Sequence, residues 1–109
     1  MTKFQRTKRV PKRIVIRYST GSGALPGSGC TMDMSPGGLF MSVGMPLAPG
    51  THVLGRLQLP DGKQAEVHGI VAWARQVPRA LNAIARGGMG LRLVWAESAY
   101  YEFVGKLGL

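Results

Sequence analysis

A carboxylate, a hydroxyl and two positions without side chains stand together at Asp33, Ser35, Gly37 and Gly38. Asp33 is the only acidic residue before Asp61, and it follows a strongly basic stretch: seven of the fourteen lysines and arginines, Lys3, Arg6, Lys8, Arg9, Lys12, Arg13 and Arg17, lie in the first seventeen positions. Guanidinium groups offer planar forks that match phosphate oxygens and the O6/N7 edge of guanine, and they stack on bases. A carboxylate accepts protons such as those on N1 and N2 of guanine, a short hydroxyl adds a contact, and glycine lets a ligand approach the backbone. The pair could therefore grip a ligand that is anionic at one end and hydrogen-bond donating at the other. The same residues also fit a purely structural Asx or Ser turn with glycine at positive φ, beside a solvated basic tail.

The remaining reactive side chains do not assemble an enzyme. His52 and His68 fall on two predicted strands where they could face each other, but they lack a matched carboxylate or cysteine pair for a metal. Cys30 is the only cysteine, which excludes an intrachain disulfide and a thiolate cluster, and it has no evident partner base. With five acidic residues in the chain, a carboxylate pair for acid–base work is not expected. Neither Gly21-Ser22-Gly23 nor Gly87 to Gly90 completes a phosphate-loop pattern. The chain thus reads as a binding protein without catalytic residues and without a metal.

The net charge of +9 implies an anionic partner, because such a surplus concentrates polyanions and speeds their capture. Its 109 residues allow one domain with one modest core. Sixteen glycines and seven prolines suggest many turns, as in all-β or α+β chains. No apolar run approaches the length of a membrane span and no secretory leader is evident, so the expected location is the cytoplasm without membrane insertion.

The elements that must position the motif follow from periodicity. Residues 1–12 read as a basic arm ending near Val10-Pro11, and residues 13–109 as the folded domain. Arg13 to Tyr18 alternates as a strand, and Ser19 to Gly29 reads as a loop. Thr31 to Met34 is a short strand that breaks at Ser35-Pro36-Gly37-Gly38 before Leu39 to Val43 resumes it. His52 to Leu59 and Gln64 to Arg75 flank Asp61-Gly62, a hairpin signal, with Gly69 marking a bulge or bend. Ala80 to Ala85 could form a helical turn, and Gly90 to Val94 is a last strand. Tyr100, Phe103, Val104 and Leu107 then share one face of a terminal helix, with Glu97, Ser98 and Glu102 giving its start acidic and capping character.

These residues resemble the PilZ domain family, whose marks are an Arg-x-x-x-Arg motif ahead of the first strand and [Asp/Asn]-x-Ser-x-x-Gly at a bend in a β-barrel. The resemblance runs through Arg9-Val10-Pro11, Asp33-Met34-Ser35-Pro36-Gly37-Gly38-Leu39-Phe40, Val71-Ala72-Trp73 and Gly88-Met89-Gly90-Leu91. It implies a mainly β fold, a six-stranded antiparallel barrel with a carboxy-terminal helix, and binding of the bacterial second messenger cyclic di-GMP. Asp33, Ser35 and Gly38 match position for position, with Gly37 beside them. In the family the second arginine precedes a Val-Pro lead-in, which selects Arg9; four residues earlier stands Gln5, with Arg6 one step off, whereas Arg9 with Arg13 meets the literal spacing. Trp73 occupies the strand end where the family places an aromatic near the base.

The expected function is therefore a cyclic di-GMP receptor that passes its signal to an effector protein when the arm orders over the ligand. The rival is a degenerate adaptor that keeps the fold and binds only protein. Nucleic-acid binding ranks last, because aromatic stacking residues are few.

Overall fold

Strict alternation sets the architecture. In His52–Gln58 the buried residues are Val53, Gly55 and Leu57, and in Gln64–Arg75 they are Ala65, Val67, Gly69 and Val71, so each strand turns one face inward. The computed structural model describes residues 10–21, 27–78 and 87–107. Its elements are β1 (Val10–Pro11), β2 (Val15–Ser19), β3 (Gly27–Ser35), β4 (Gly38–Ser42), β5 (His52–Gln58), β6 (Gln64–Arg75), β7 (Gly88–Ala96) and α1 (Ser98–Leu107). The helical turn expected at Ala80 to Ala85 lies outside the described residues, as do Arg6 and Arg9.

Six strands close on themselves in the cyclic order β3-β2-β5-β6-β7-β4, every pairing antiparallel, and β1 is an extra strand laid against β3. The expected six-stranded barrel with a terminal helix is the observed one. Inside it Ile16, Met34, Leu39, Met41, Leu57, Val67 and Met89 are completely buried. The Asp61-Gly62 signal forms a hairpin turn: Gly62 takes φ 89°, its N–H donates to the Leu59 carbonyl, and Lys63 N–H donates to Asp61 Oδ1 at 2.9 Å. Gly69 does sit at a break in register, between His68 and Gly69.

Two differences from the sequence reading have clear causes. β3 starts at Gly27, inside the stretch read as a loop, because Val15 to Tyr18 pairs with Cys30 back to Gly27 and holds glycine-rich chain extended. At the start of α1 the acidic and capping reading gives way to a strand contact. Glu97 exchanges hydrogen bonds with β6, its N–H donating to the Glu66 carbonyl and its Oε1 accepting from Glu66 N–H at 2.7 Å. The helix stripe packs as expected, with Tyr100 and Val104 buried and Phe103 and Leu107 against the core.

β1 and β2 run along the same edge of β3 but are separated by Lys12-Arg13-Ile14, opposite a register break between Thr31 and Asp33. Thr31 fills the gap. Its backbone N–H donates to the Ile14 carbonyl, its Oγ1 accepts from Ile14 N–H at 2.8 Å, and the same hydroxyl donates to the Lys12 carbonyl at 2.7 Å. Lys12 N–H then donates to the Met32 carbonyl. A buried hydroxyl thus replaces the missing rungs of the ladder, and Arg13 sits exposed between the two residues it holds.

Thr31→Val would keep the shape and strip both hydrogen bonds from the Lys12–Ile14 gap. The expected cost is about 1–3 kcal/mol in denaturant unfolding, with faster amide exchange at Ile14. Burial raises the Tyr18 phenol above its ordinary 10.0. The native state therefore resists this ionisation, and its contribution is complete below pH 10.0 and lost as pH rises through the higher folded value. Tyr18→Phe should flatten that alkaline decline in thermal unfolding.

Candidate functional site

The register of four pairings lines up one row across the outer surface. Pro11 of β1 opposes Asp33 of β3, Asp33 opposes Phe40 of β4, Phe40 opposes Gly90 of β7, and Gly90 opposes Trp73 of β6. The next row inward along the strands, Met34, Leu39, Leu91 and Val71, is entirely core. Beyond it, Ser35, Gly38, Arg92, Ile70 and His52 form the following outer row. The period of two thus assigns Asp33 and Trp73, forty positions apart in sequence, to one face.

The centre of that face is aromatic. Phe40 and Trp73 stack across the glycine between them, ring centroids 4.9 Å apart and planes 20° from parallel. Gly90 is required here by close approach, since a Cβ would stand 2.4 Å from Trp73 Nε1. Ala72 is the extra residue that shifts Trp73 into this register, and Trp73 remains 41% exposed, leaving a π-face to solvent. Beside it lies a cleft of about 280 Å³ lined by Ser35, Gly37, Gly38, Trp73, Leu91 and Arg92, among others.

The Ser35-to-Gly38 turn is fixed from several sides. Ser35 is 2% exposed and its Oγ donates to the Gly38 carbonyl at 3.3 Å, so this hydroxyl braces the turn. Leu93 N–H donates to the Gly37 carbonyl at 2.9 Å. Tyr100 of α1, fully buried, donates its phenol proton to the Ser35 carbonyl at 2.7 Å. Neither Gly37 nor Gly38 has positive φ, contrary to the turn geometry the sequence suggested. Gly38 is there because β7 passes close by: a Cβ would meet the Leu91 carbonyl oxygen at 2.5 Å.

Of the residues singled out in the sequence, Ser35, Gly37, Gly38 and Trp73 line one cleft, and Asp33 is half-buried in the row ending at Trp73. Arg13 is exposed next to β1, the strand that pairs with Asp33. Arg6 and Arg9 lie outside the described residues. His52 and His68 do not face each other, since His52 opposes Ile70 and His68 opposes Leu54. Sequence reasoning passed over Phe40, Gly90 and Arg92 as site residues. Arg92 was detectable as a charge alternating with Leu91 and Leu93, but only strand order reveals that it stands opposite Gly38.

The PilZ domain family matches residues 3–97 of the chain. A search of curated proteins finds no match. Among solved structures, the Bacillus subtilis inhibitor of motility (MotI/DgrA) superposes with a TM-score of 0.73 at 14% identity, covering 97% of this chain and 51% of that one. This chain therefore spans about half the length of the motility inhibitor. The PilZ domain of CeSA from a cellulose-synthesizing bacterium gives a TM-score of 0.64 at 20% identity, covering 93% and 94% of the respective chains.

Gly90→Ala should drive Trp73 off Phe40, at a cost of about 0.5–1.5 kcal/mol, the worth of a stacked aromatic pair. In a Trp95→Phe background the remaining tryptophan emission should shift to the red. An unchanged spectrum would contradict the close approach at Gly90.

Proposed function

Because the chain belongs to the PilZ domain family, a family of cyclic di-GMP receptors and adaptors, we propose that it binds cyclic di-GMP and transmits that signal to a partner protein. The observation that carries this reading is the outer row from Pro11 through Asp33, Phe40 and Gly90 to Trp73. It offers a carboxylate and a stacked aromatic surface within one stretch of barrel wall, with Arg13 exposed beside β1.

Each residue has a role the ligand's chemistry defines. Asp33 accepts the N1 and N2 protons of a guanine, and the exposed face of Trp73 offers a stacking surface for a base. Arg13, with Arg6 and Arg9 ahead of it, supplies forks for phosphates and the guanine O6/N7 edge. Gly37 keeps the turn bare enough for a ligand to lie against backbone, while Gly38 leaves room for β7 and Ser35 holds the turn's shape. Arg92 adds a cation at the cleft wall. The signal is carried by an ordering of the basic segment ahead of β1 as these arginines meet the dinucleotide, which changes the surface presented to the effector.

Isothermal titration with cyclic di-GMP tests the reading. Asp33→Ala and Arg13→Ala should each weaken binding about ten- to hundredfold, the range of a lost guanine contact of about 1–3 kcal/mol. Trp73→Ala should weaken it by a similar factor through lost stacking. Wild-type protein that gives no heat with the dinucleotide would instead identify an adaptor that keeps the fold and binds only protein.

A further inference from the structure

Away from the aromatic row, the outer face of β2, β5, β6 and β7 carries a pattern that folding alone does not favour. Arg17 of β2 stands directly opposite Arg56 of β5, and Arg56 opposes Glu66 of β6. Directly opposed side chains have Cβ atoms about 4.5–5.5 Å apart, so like charges there repel. Glu66 makes no ion pair with either arginine: its Oε2 turns along its own strand to His68 Nε2 at 3.3 Å. Among the described residues no carboxylate lies within ion-pair distance of Arg17 or Arg56. The two arginines line a groove of about 280 Å³ with Tyr18, Ser19, Leu54 and Glu66.

The neighbouring outer row exposes two large apolar side chains, Leu54 and Trp95, where solvent-facing strands are normally polar. Ser19, Leu54, His68 and Trp95 stand in register across the same four strands. Leu54 is 40% exposed and Trp95 46%, and the tryptophan is held by the His68 ring at 5.0 Å. A cationic groove beside an aromatic shelf suits a ligand that carries carboxylates and a hydrophobic side chain together. The carboxylate of Glu66 in that groove would repel an unbroken run of phosphates. Every barrel strand here already has both edges paired, so recognition must come through side chains and not by adding a strand.

We propose that this face docks an acidic segment of a partner protein, its carboxylates against Arg17 and Arg56 and an apolar side chain on Leu54 and Trp95. The proposal rests on the reading of the chain as a receptor that hands its signal to a protein, and it names the surface and the chemistry of that partner. The opposed arginines are a repulsion in the free protein that an acidic partner relieves.

The probe is the synthetic peptide acetyl-Asp-Glu-Asp-Leu-Phe-Glu-Asp-amide, titrated into the nitrogen-15-labelled full chain. Saturable shifts are expected at the Arg17, Leu54 and Arg56 amides and the Trp95 indole, and about tenfold weaker binding by the doubly substituted Arg17→Gln, Arg56→Gln variant. The same peptide with serine in place of leucine and phenylalanine should also bind more weakly. Because the substitutions end a repulsion, the variant should melt no lower than wild type, and a lower Tm would mean that the pair is structural and overturn the proposal. No saturable shift, equal shifts at these residues with oligothymidylate, or concentration-dependent self-association through this face would each overturn it as well. The variant should keep wild-type affinity for cyclic di-GMP. Failure of wild-type protein to bind the dinucleotide would remove the receptor reading while the peptide result at this face stood by its own measurement.

Discussion

Closure of the barrel between β3 and β4 is the constraint on which the rest depends. Opened at that seam, the sheet would run from β3 through β2, β5, β6 and β7 to β4, and Asp33 would lie at the opposite edge from Phe40. The backbone ladder from Cys30–Ser42 to Ser35–Gly38 brings the two ends together and makes Asp33 a neighbour of Phe40. The strands that close the barrel are also adjacent in sequence, so the closing contact needs only a short turn and little loop entropy. That turn is Ser35-Pro36-Gly37-Gly38. The motif that looks like a ligand site is therefore also the seam, held by the backbone ladder and the contacts at Ser35.

Two buried hydroxyls besides that of Ser35 stiffen the seam from within. Tyr100 reaches from α1 to the Ser35 carbonyl, so the terminal helix helps hold the turn in addition to covering the core. Thr31, two residues ahead of Asp33, satisfies the backbone where β1 gives way to β2. One strand thus holds both the basic lead-in and the acidic position, at points two residues apart. A buried polar group left unpartnered is costly, which makes both hydroxyls hard to replace with apolar side chains. The outer face, by contrast, is free to carry charge and exposed aromatic surface because the inner face already supplies the core.

Much of this was legible in the sequence because alternation is a local signal. The strands at Val15–Ser19, His52–Gln58 and Gln64–Arg75, the Asp61-Gly62 turn and the helix face of Tyr100 and Val104 all follow from period and punctuation. What escaped were relations between distant strands. Ser35 read as either a ligand contact or a turn serine, and nothing in its neighbours says that a tyrosine sixty-five positions on binds its carbonyl. Thr31 read as one more strand residue, since its importance comes from a break in a different pair of strands. Arg17 and Arg56 read as part of the general positive charge until the register set them face to face. Gly38 and Gly90 read as turn and strand glycines, whereas the approach of another backbone or ring explains them.

The stack of Phe40 on Trp73 across Gly90 also governs how this surface can diverge. Three residues on three strands share one volume, so none can be exchanged alone without leaving a gap or a collision. A chain that loses the indole is released from the need for a bare position on β7, and a chain that gains a side chain there must give up the indole. Among relatives these positions should vary as a linked set, and a lineage that abandoned the tryptophan would be recognisable by the filling of its glycine.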